Sequence, residues 1–321
     1  MASMNLTTVT EFILVGLPSE RKTQILVFVV ILLIYLLTIM GNLVIILLVW
    51  TDSSLHTPMY SFLSQLSTLE ICYVTSTLPQ MLAHLMAGNG TISFTHCVIQ
   101  MYIASCLGGT ECLLLAAMAY DRYLAICQPL LYSIAMGKWR QFQLTFISWA
   151  SAFFLGSVNL GYALSLPFCG PNHINHFFCE LPVVLKLSCA DPHVTDNTIF
   201  LASALLLPIP ISVILISYGL ILHSVLQMQS TSRWQKAFST CASHLIVVTM
   251  FYGTVVSMYM IPRSGSTSDF DKQIAVFYIV ITLLLNPIIY TLRNKDVHAA
   301  AAKMLGRYCF DQKKLNNAQN K

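Results

Sequence analysis

The sequence predicts an all-α membrane protein, a seven-transmembrane helix bundle with a short amphipathic helix after the seventh span. Composition and the spacing of apolar segments carry this. Of 321 residues, 56% are hydrophobic and 9% charged, against roughly 25% charged in a soluble domain. The 17 Lys and Arg and 13 Asp and Glu are too few to solvate the surface, so most of it faces lipid. A span takes about 20 apolar residues, so seven spans use roughly 140 and leave loops too short for a separate soluble domain.

The elements follow in order. Met1 to Lys22 is polar, carries the acceptor pattern Asn5-Leu6-Thr7, and lacks the apolar core of a cleaved signal peptide, so the first span is expected to direct insertion. Apolar segments follow at about Gln24 to Trp50, Pro58 to Met86, Cys97 to Ile126, Gln141 to Leu166, Thr198 to Leu226, Ala237 to Ile261 and Lys272 to Leu292. The second and sixth are weaker in hydropathy, yet His56-Thr57-Pro58 and Ser264-Gly265-Ser266 punctuate the chain beside them. The expected divisions are an extracellular segment 1–23, a bundle 24–292 and a cytoplasmic helix and tail 293–321.

Seven spans put the termini on opposite sides. With the C-terminus inside, Arg122, Lys138, Arg140, Arg233, Lys236, Arg293, Lys295, Lys303, Arg307, Lys313, Lys314 and Lys321 are cytoplasmic, and only Arg21, Lys22, Lys186, Arg263 and Lys272 lie outside. An extracellular N-terminus also places Asn5, and the second acceptor pattern Asn89-Gly90-Thr91, on the glycosylating side. Cys97, Cys169, Cys179 and Cys189 fall outside, where disulfides persist, and allow three pairings. Three of them lie in the long segment Pro167 to Asn197, read as a stapled lid over the bundle. His176 and Cys179 have a spacing that could serve copper or zinc, a reading that fails if Cys179 is in a disulfide.

Three ionisable groups at membrane depth require a reason, because each costs a few kcal/mol or more there. They are Glu70, Glu111 and, at the inner rim, Arg122. Glu111 and Arg122 are 11 residues apart, close to three helical turns or about 16 Å, and share a stripe with Ala104, Gly108, Leu115 and Met118 that must face inward. The plainer reading of Glu111 is a structural hydrogen-bonding residue. Higher in the bundle, the residues expected to face inward are small, apolar or weakly polar. They are Met101, Ala104, Ser105, Gly108, Gly109 and Cys112 of span three, Ser203 and Leu206 of span five, Val255, Val256 and Tyr259 of span six, and Val276 and Ile279 of span seven. Gly108-Gly109 leaves space where side chains would otherwise pack, although glycine also serves close helix contact.

Met118-Ala119-Tyr120-Asp121-Arg122-Tyr123 ends span three, Gly41-Asn42 lies in span one, and Leu55-His56-Thr57-Pro58-Met59-Tyr60 precedes span two. Ser217-Tyr218 lies in span five, Lys236-Ala237-Phe238-Ser239-Thr240-Cys241-Ala242-Ser243-His244 opens span six, and Asn286-Pro287-Ile288-Ile289-Tyr290 closes span seven. An acid-Arg-Tyr triplet alone occurs by chance; these motifs in order and at the right depths do not. The chain resembles a vertebrate olfactory receptor of the rhodopsin-like G-protein-coupled class, and its short loop before span seven is similar to the class II branch.

The resemblance implies a switch in which Arg122, restrained by Asp121 next to Tyr123, swings towards Tyr218 and Tyr290 as span six tilts outward, with Pro287 loosening span seven. Tyr252-Gly253 stands where many rhodopsin-like receptors carry a proline. It also implies a polar core of Asn42, Glu70, Glu111 and Asn286 able to hold a sodium ion, the sole candidate cofactor; without a cation, one of two adjacent carboxyls would carry a proton. Glu70 departs from the commoner Asp there. The implied disulfides are Cys97 with Cys179, leaving Cys169 with Cys189.

Span three has no acid between Cys97 and Thr110, so the ammonium partner of an amine receptor is missing from it, and span seven has no interior lysine for a retinal Schiff base, Lys272 sitting at its outer edge. The expected ligand is a small neutral volatile odorant. The expected partners are a heterotrimeric G protein of the stimulatory, olfactory class, which raises cAMP, and membrane lipids; no nucleic acid is involved. Val297, Ala301, Met304, Leu305 and Tyr308 against Lys295, Lys303 and Arg307 predict an amphipathic helix on the inner leaflet, with Cys309 a candidate for palmitoylation. An intramembrane protease is disfavoured because the acids are Glu and no Gly-Asp motif accompanies them. A transporter would want polar residues through the full depth, and a silent scaffold would not need Asp121-Arg122-Tyr123. A receptor for another small apolar ligand is the alternative. The expected location is the plasma membrane, with a multi-pass chain.

Overall fold

A computed structural model describes residues 9–168, 172–188, 197, 200–201, 203–204, 206–227, 231–259, 268–292, 296–304 and 306. Among the described residues, six stretches of helix are long and apolar enough to cross a membrane: Arg21–Thr51, Phe94–Cys127, Lys138–Ser165, Pro208–Leu226, Cys241–Tyr259 and Lys272–Tyr290. The remaining long helix, Pro58–Ala87, has 30 residues and belongs to the same bundle as span two. Its lower hydropathy has a structural cause, since polar Ser67, Glu70, Thr77 and His84 are all buried between helices rather than facing lipid.

Each span shows why its sequence forms a membrane helix. Span one exposes Leu26, Val29, Leu33, Leu37 and Met40 at intervals of three or four residues while burying Thr38 and Asn42. Span four turns Trp139, Phe142 and Phe146 outward in a stacked aromatic row. Span two starts with Pro58 in its first turn and stops at Gly88, whose φ of 71° is the left-handed cap conformation; the Gly88 N–H donates to His84 O at 2.9 Å. Arg21 donates to Leu85 O and Met86 O, placing a cation on that helix's carbonyl end. Ser93 caps span three by accepting from His96 N at 3.3 Å.

Two boundaries differ from expectation. Span six begins at Thr231, earlier than Ala237. Span seven runs Ser268–Val276, Phe277–Thr282 and Leu283–Leu292, with a π-helical middle. Proline lacks an N–H and crowds the carbonyl four residues before it, here that of Leu283, which directly follows the π-helical stretch. A Cβ built on Gly41 would come within 3.2 Å of Pro287 Cβ. Gly41 therefore lets spans one and seven approach at this proline.

The protein is not purely helical. A three-stranded sheet caps the outer mouth: β1 (Glu11–Leu14) pairs antiparallel with β2 (Thr91–Ser93) and parallel with β3 (His173–Ile174). β1 buries Phe12 and Leu14 and exposes Glu11. With Ile92, Cys97, Met101, Ile174, Cys179 and Val184 these form an apolar layer between the outer cap and the bundle. At the opposite end residues 296–304 form a helix that buries Val297 and Ala300 and exposes Lys303. Lys303 reaches Asp52 at 3.4 Å and Asp296 accepts from Tyr60 at 3.2 Å. Leu305, Tyr308 and Cys309 lie outside the described residues.

Candidate functional site

Below the outer cap, spans three, five, six and seven enclose a cavity of about 110 Å³, with Tyr73 of span two and Asn159 of span four also on its wall. Ala104, Ser105, Gly108, Gly109, Cys112, Ser203, Leu206, Val255 and Tyr259 line it. The two glycines have different roles. A Cβ at Gly108 would meet nothing within 4 Å, whereas one at Gly109 would lie 3.2 Å from Ala152 Cβ. Gly108 provides space and Gly109 provides helix contact.

Four residues expected in the wall are elsewhere. Met101 lies two helical turns above Gly108, where the lid covers it, and is 2% exposed in the apolar layer with Cys97 and Cys179. Val276 and Ile279 line a separate pocket of about 20 Å³ with Ile31, Phe177 and Phe178. In span seven, the residues on the cavity side are Ile274 and Tyr278, one before and one after the start of the π-helical turns. Val256 is half-buried outside both pockets.

The outer end of the cavity is also more polar than the span sequences suggest. A Cys97–Cys179 disulfide, with Cα atoms 5.3 Å apart, pins the lid to span three. Gln100 reinforces the junction, accepting from Cys179 N at 2.8 Å and donating to Ser76 O at 2.9 Å. This seats Glu180 against the cavity, where its Oε1 accepts from Tyr259 OH at 2.8 Å. Burial pushes the Glu180 carboxyl up to about 7, against the opposing effects of Tyr259 and Lys186. Burial pulls the neighbouring His176 down to about 4, so it is neutral at physiological pH. The expectation of an outer bundle free of acid is corrected here: the acid comes from the lid, which no reading of span periodicity could place. With Cys179 in a disulfide, the metal reading of His176 and Cys179 fails, and no group of three metal-ligating side chains occurs among the described residues. Cys169, Cys189 and Asn5 lie outside the described residues, and Asn89 is exposed.

Tyr278 connects the cavity to the polar core, lining the former and donating to Glu111 Oε2 at 3.1 Å. Asn286 Nδ2 donates to Glu70 Oε1 at 2.6 Å, and Asn42 Nδ2 to Thr38 O at 3.0 Å. Glu70 Oε2, Glu111 Oε1, Asn286 Oδ1 and Thr38 Oγ1 are buried without hydrogen-bond partners. An all-oxygen donor set with carboxylate charge suits a hard cation such as sodium.

At the inner rim, Asp121 is fully buried and accepts from Tyr132 OH at 2.8 Å, a partner on the short helix Pro129–Ala135 that sequence reasoning missed. Arg122 Nε and Tyr290 OH are buried without hydrogen-bond partners. Tyr123 OH accepts from Gln128 Nε2 at 2.9 Å. Tyr218 OH shares a 2.6 Å hydrogen bond with His244 Nδ1, tying spans five and six, and Tyr252 OH donates to Cys112 O at 2.8 Å, tying spans six and three.

A family profile described as olfactory receptor matches residues 31–308. The chain belongs to the olfactory receptor family. It is 47% identical to human olfactory receptor 2B2 over 306 residues, 95% of this chain and 86% of that one. It is also 47% identical to human olfactory receptor 11L1 over 309 residues, 96% of each, and 45% identical to human putative olfactory receptor 2B3 over 303 residues, 94% and 97%. The receptor is thus a multi-pass plasma-membrane protein of a family that binds odorants and couples to G proteins, and it is not an enzyme. Tyr73, Glu180, Thr254, Met258, Ile274 and Tyr278 are receptor residues on the cavity wall that the sequence did not single out. The apolar periodicity of span two could have indicated Tyr73, which lies three residues, about one turn, from Glu70. No local signal marks Glu180.

Proposed function

We propose that this olfactory receptor binds small neutral volatile odorants in the cavity below the lid and activates a stimulatory, olfactory-type G protein to raise cAMP. The observation that carries the reading is the buried cavity, walled mostly by apolar side chains and opened by Gly108. A ligand there packs its apolar surface against mostly apolar walls and makes one or two hydrogen bonds, with Ser105, Ser203 or the Glu180–Tyr259 pair as partners. Burial of some 200 Å² at about 25 cal/mol per Å² gives roughly 5 kcal/mol before association costs, so micromolar potency is expected. Ligand contact at Tyr278 would act on Glu111 in the polar core, to which span seven also contributes Asn286. A bound sodium would supply a fixed positive charge in this core, and Glu70, Glu111 and Asn286 would hold it. Outward movement of span six then requires the Tyr218–His244 and Tyr252–Cys112 bonds to break, and Arg122 moves into the opened inner face where the G protein docks. The N-terminus is extracellular and the C-terminus cytoplasmic, as the distribution of cations supports. An odorant panel read as cAMP in cells co-expressing an olfactory G protein tests the reading; agonism by small neutral odorants is expected, and a response confined to anionic ligands would contradict it.

A further inference from the structure

We propose that the same cavity also accepts small aliphatic primary amines as ammonium ions, held by the Glu180 carboxyl that the lid places at its outer end. This rests on the cavity being the ligand site. Glu180 is 7% exposed and is the acid among the described lining residues, which include no Lys, Arg or His. Tyr259 occupies Oε1 at 2.8 Å, while His176 Nε2 stands 3.9 Å from Oε2, beyond a hydrogen bond. A carboxylate has about four acceptor sites and an ammonium three donors, so the pair is chemically complementary.

The surrounding charges leave that role open. His176 is held neutral by burial. Lys186 and Lys272 act from outside the cavity wall, and Lys272 donates to Asn175 at 3.0 Å. Tyr259 from span six and Tyr73 from span two bring hydroxyls but no cation. Burial sets the Glu180 carboxyl near 7, so both forms are populated at neutral pH. An ammonium selects the carboxylate, and a hydroxyl or carbonyl ligand can use either form. Ala104, Leu206, Val255 and Met258 supply the wall for the alkyl chain. Span three lacks the acid of an amine receptor, and the lid supplies one in its place.

The test compares alkylamines and alkanols of equal chain length in cAMP assays on the full-length receptor and on Glu180→Gln. Loss of one charge-assisted contact predicts a fall in amine potency that exceeds any change in alkanol potency by about tenfold or more. Alkanol agonism without any amine response, or an equal shift of both series in Glu180→Gln, overturns the proposal. If Glu180→Gln fails to reach the surface, the unaltered receptor decides: between pH 6 and 8 an alkylamine stays protonated, so its potency relative to the alkanol must rise as Glu180 ionises. A constant ratio overturns the proposal. Gly108→Leu separates the underlying premise, since a variant that leaves both series unaffected removes the cavity itself as the ligand site.

Discussion

Arg122 lies at the inner rim with a buried Nε lacking a hydrogen-bond partner, and its neighbour Asp121 is held by Tyr132 rather than by an observed bond to Arg122. Removing the guanidinium should leave the outer bundle intact. Arg122→Ala is expected to abolish agonist-stimulated cAMP while surface labelling persists, and normal signalling would refute a switch role. His244 makes the opposite case. It is fully buried, and its 2.6 Å bond to Tyr218 joins spans five and six. His244→Phe should raise agonist-free cAMP and cost about 1 kcal/mol in thermal stability, the usual value of one such bond. At this scale much was legible: Glu111 and Arg122 were located because charge in lipid demands a cause. Tyr132 and Gln100 were not, since their importance depends on Asp121 and the Cys179 amide, partners that only the fold brings near.

The lid and its sheet depend on the Cys97–Cys179 bridge, which closes a sequence separation of 82 residues. Cys179→Ser should reduce folding yield, with a loss on the order of 2 to 5 kcal/mol by analogy with small secreted domains, measured as surface expression and melting temperature. The lid also carries a pH dependence. Glu180 rises from 4.5 to about 7, so its favourable contribution is complete below 4.5 and is lost as pH rises through 7, by at most about 3 kcal/mol. His176 falls from 6.5 to about 4, and its contribution is lost as pH falls from 6.5 through 4. Glu180→Gln should therefore flatten the decline in melting temperature between pH 5.5 and 7.5; an unchanged decline would assign it to other groups. Helices were legible from their lengths and apolar faces, but the sheet was not. β1 has four residues, too few for alternation to stand out, and its partners lie in two distant loops.

Across the whole molecule, apolar composition specified the membrane bundle, and Gly41-Asn42 and Asn286-Pro287 have a joint structural sense where spans one and seven meet at Gly41 and Pro287. The depth of the cavity was legible, but not its full wall, because the π-helical turns of span seven and the seating of the lid are tertiary consequences. The cavity is linked inward by Tyr278 to Glu111 in the polar core, where Asn286 of span seven also holds Glu70. The most direct test is a pair of concentration–response curves for Gly108→Leu, using one compact and one bulky agonist that act on the unaltered receptor. Leucine fills open space without pressing on a neighbouring helix at its Cβ. The bulky agonist should lose its response, the compact one should retain part of it, and surface expression should persist. Equal, unaltered responses to both would contradict a ligand site in this cavity.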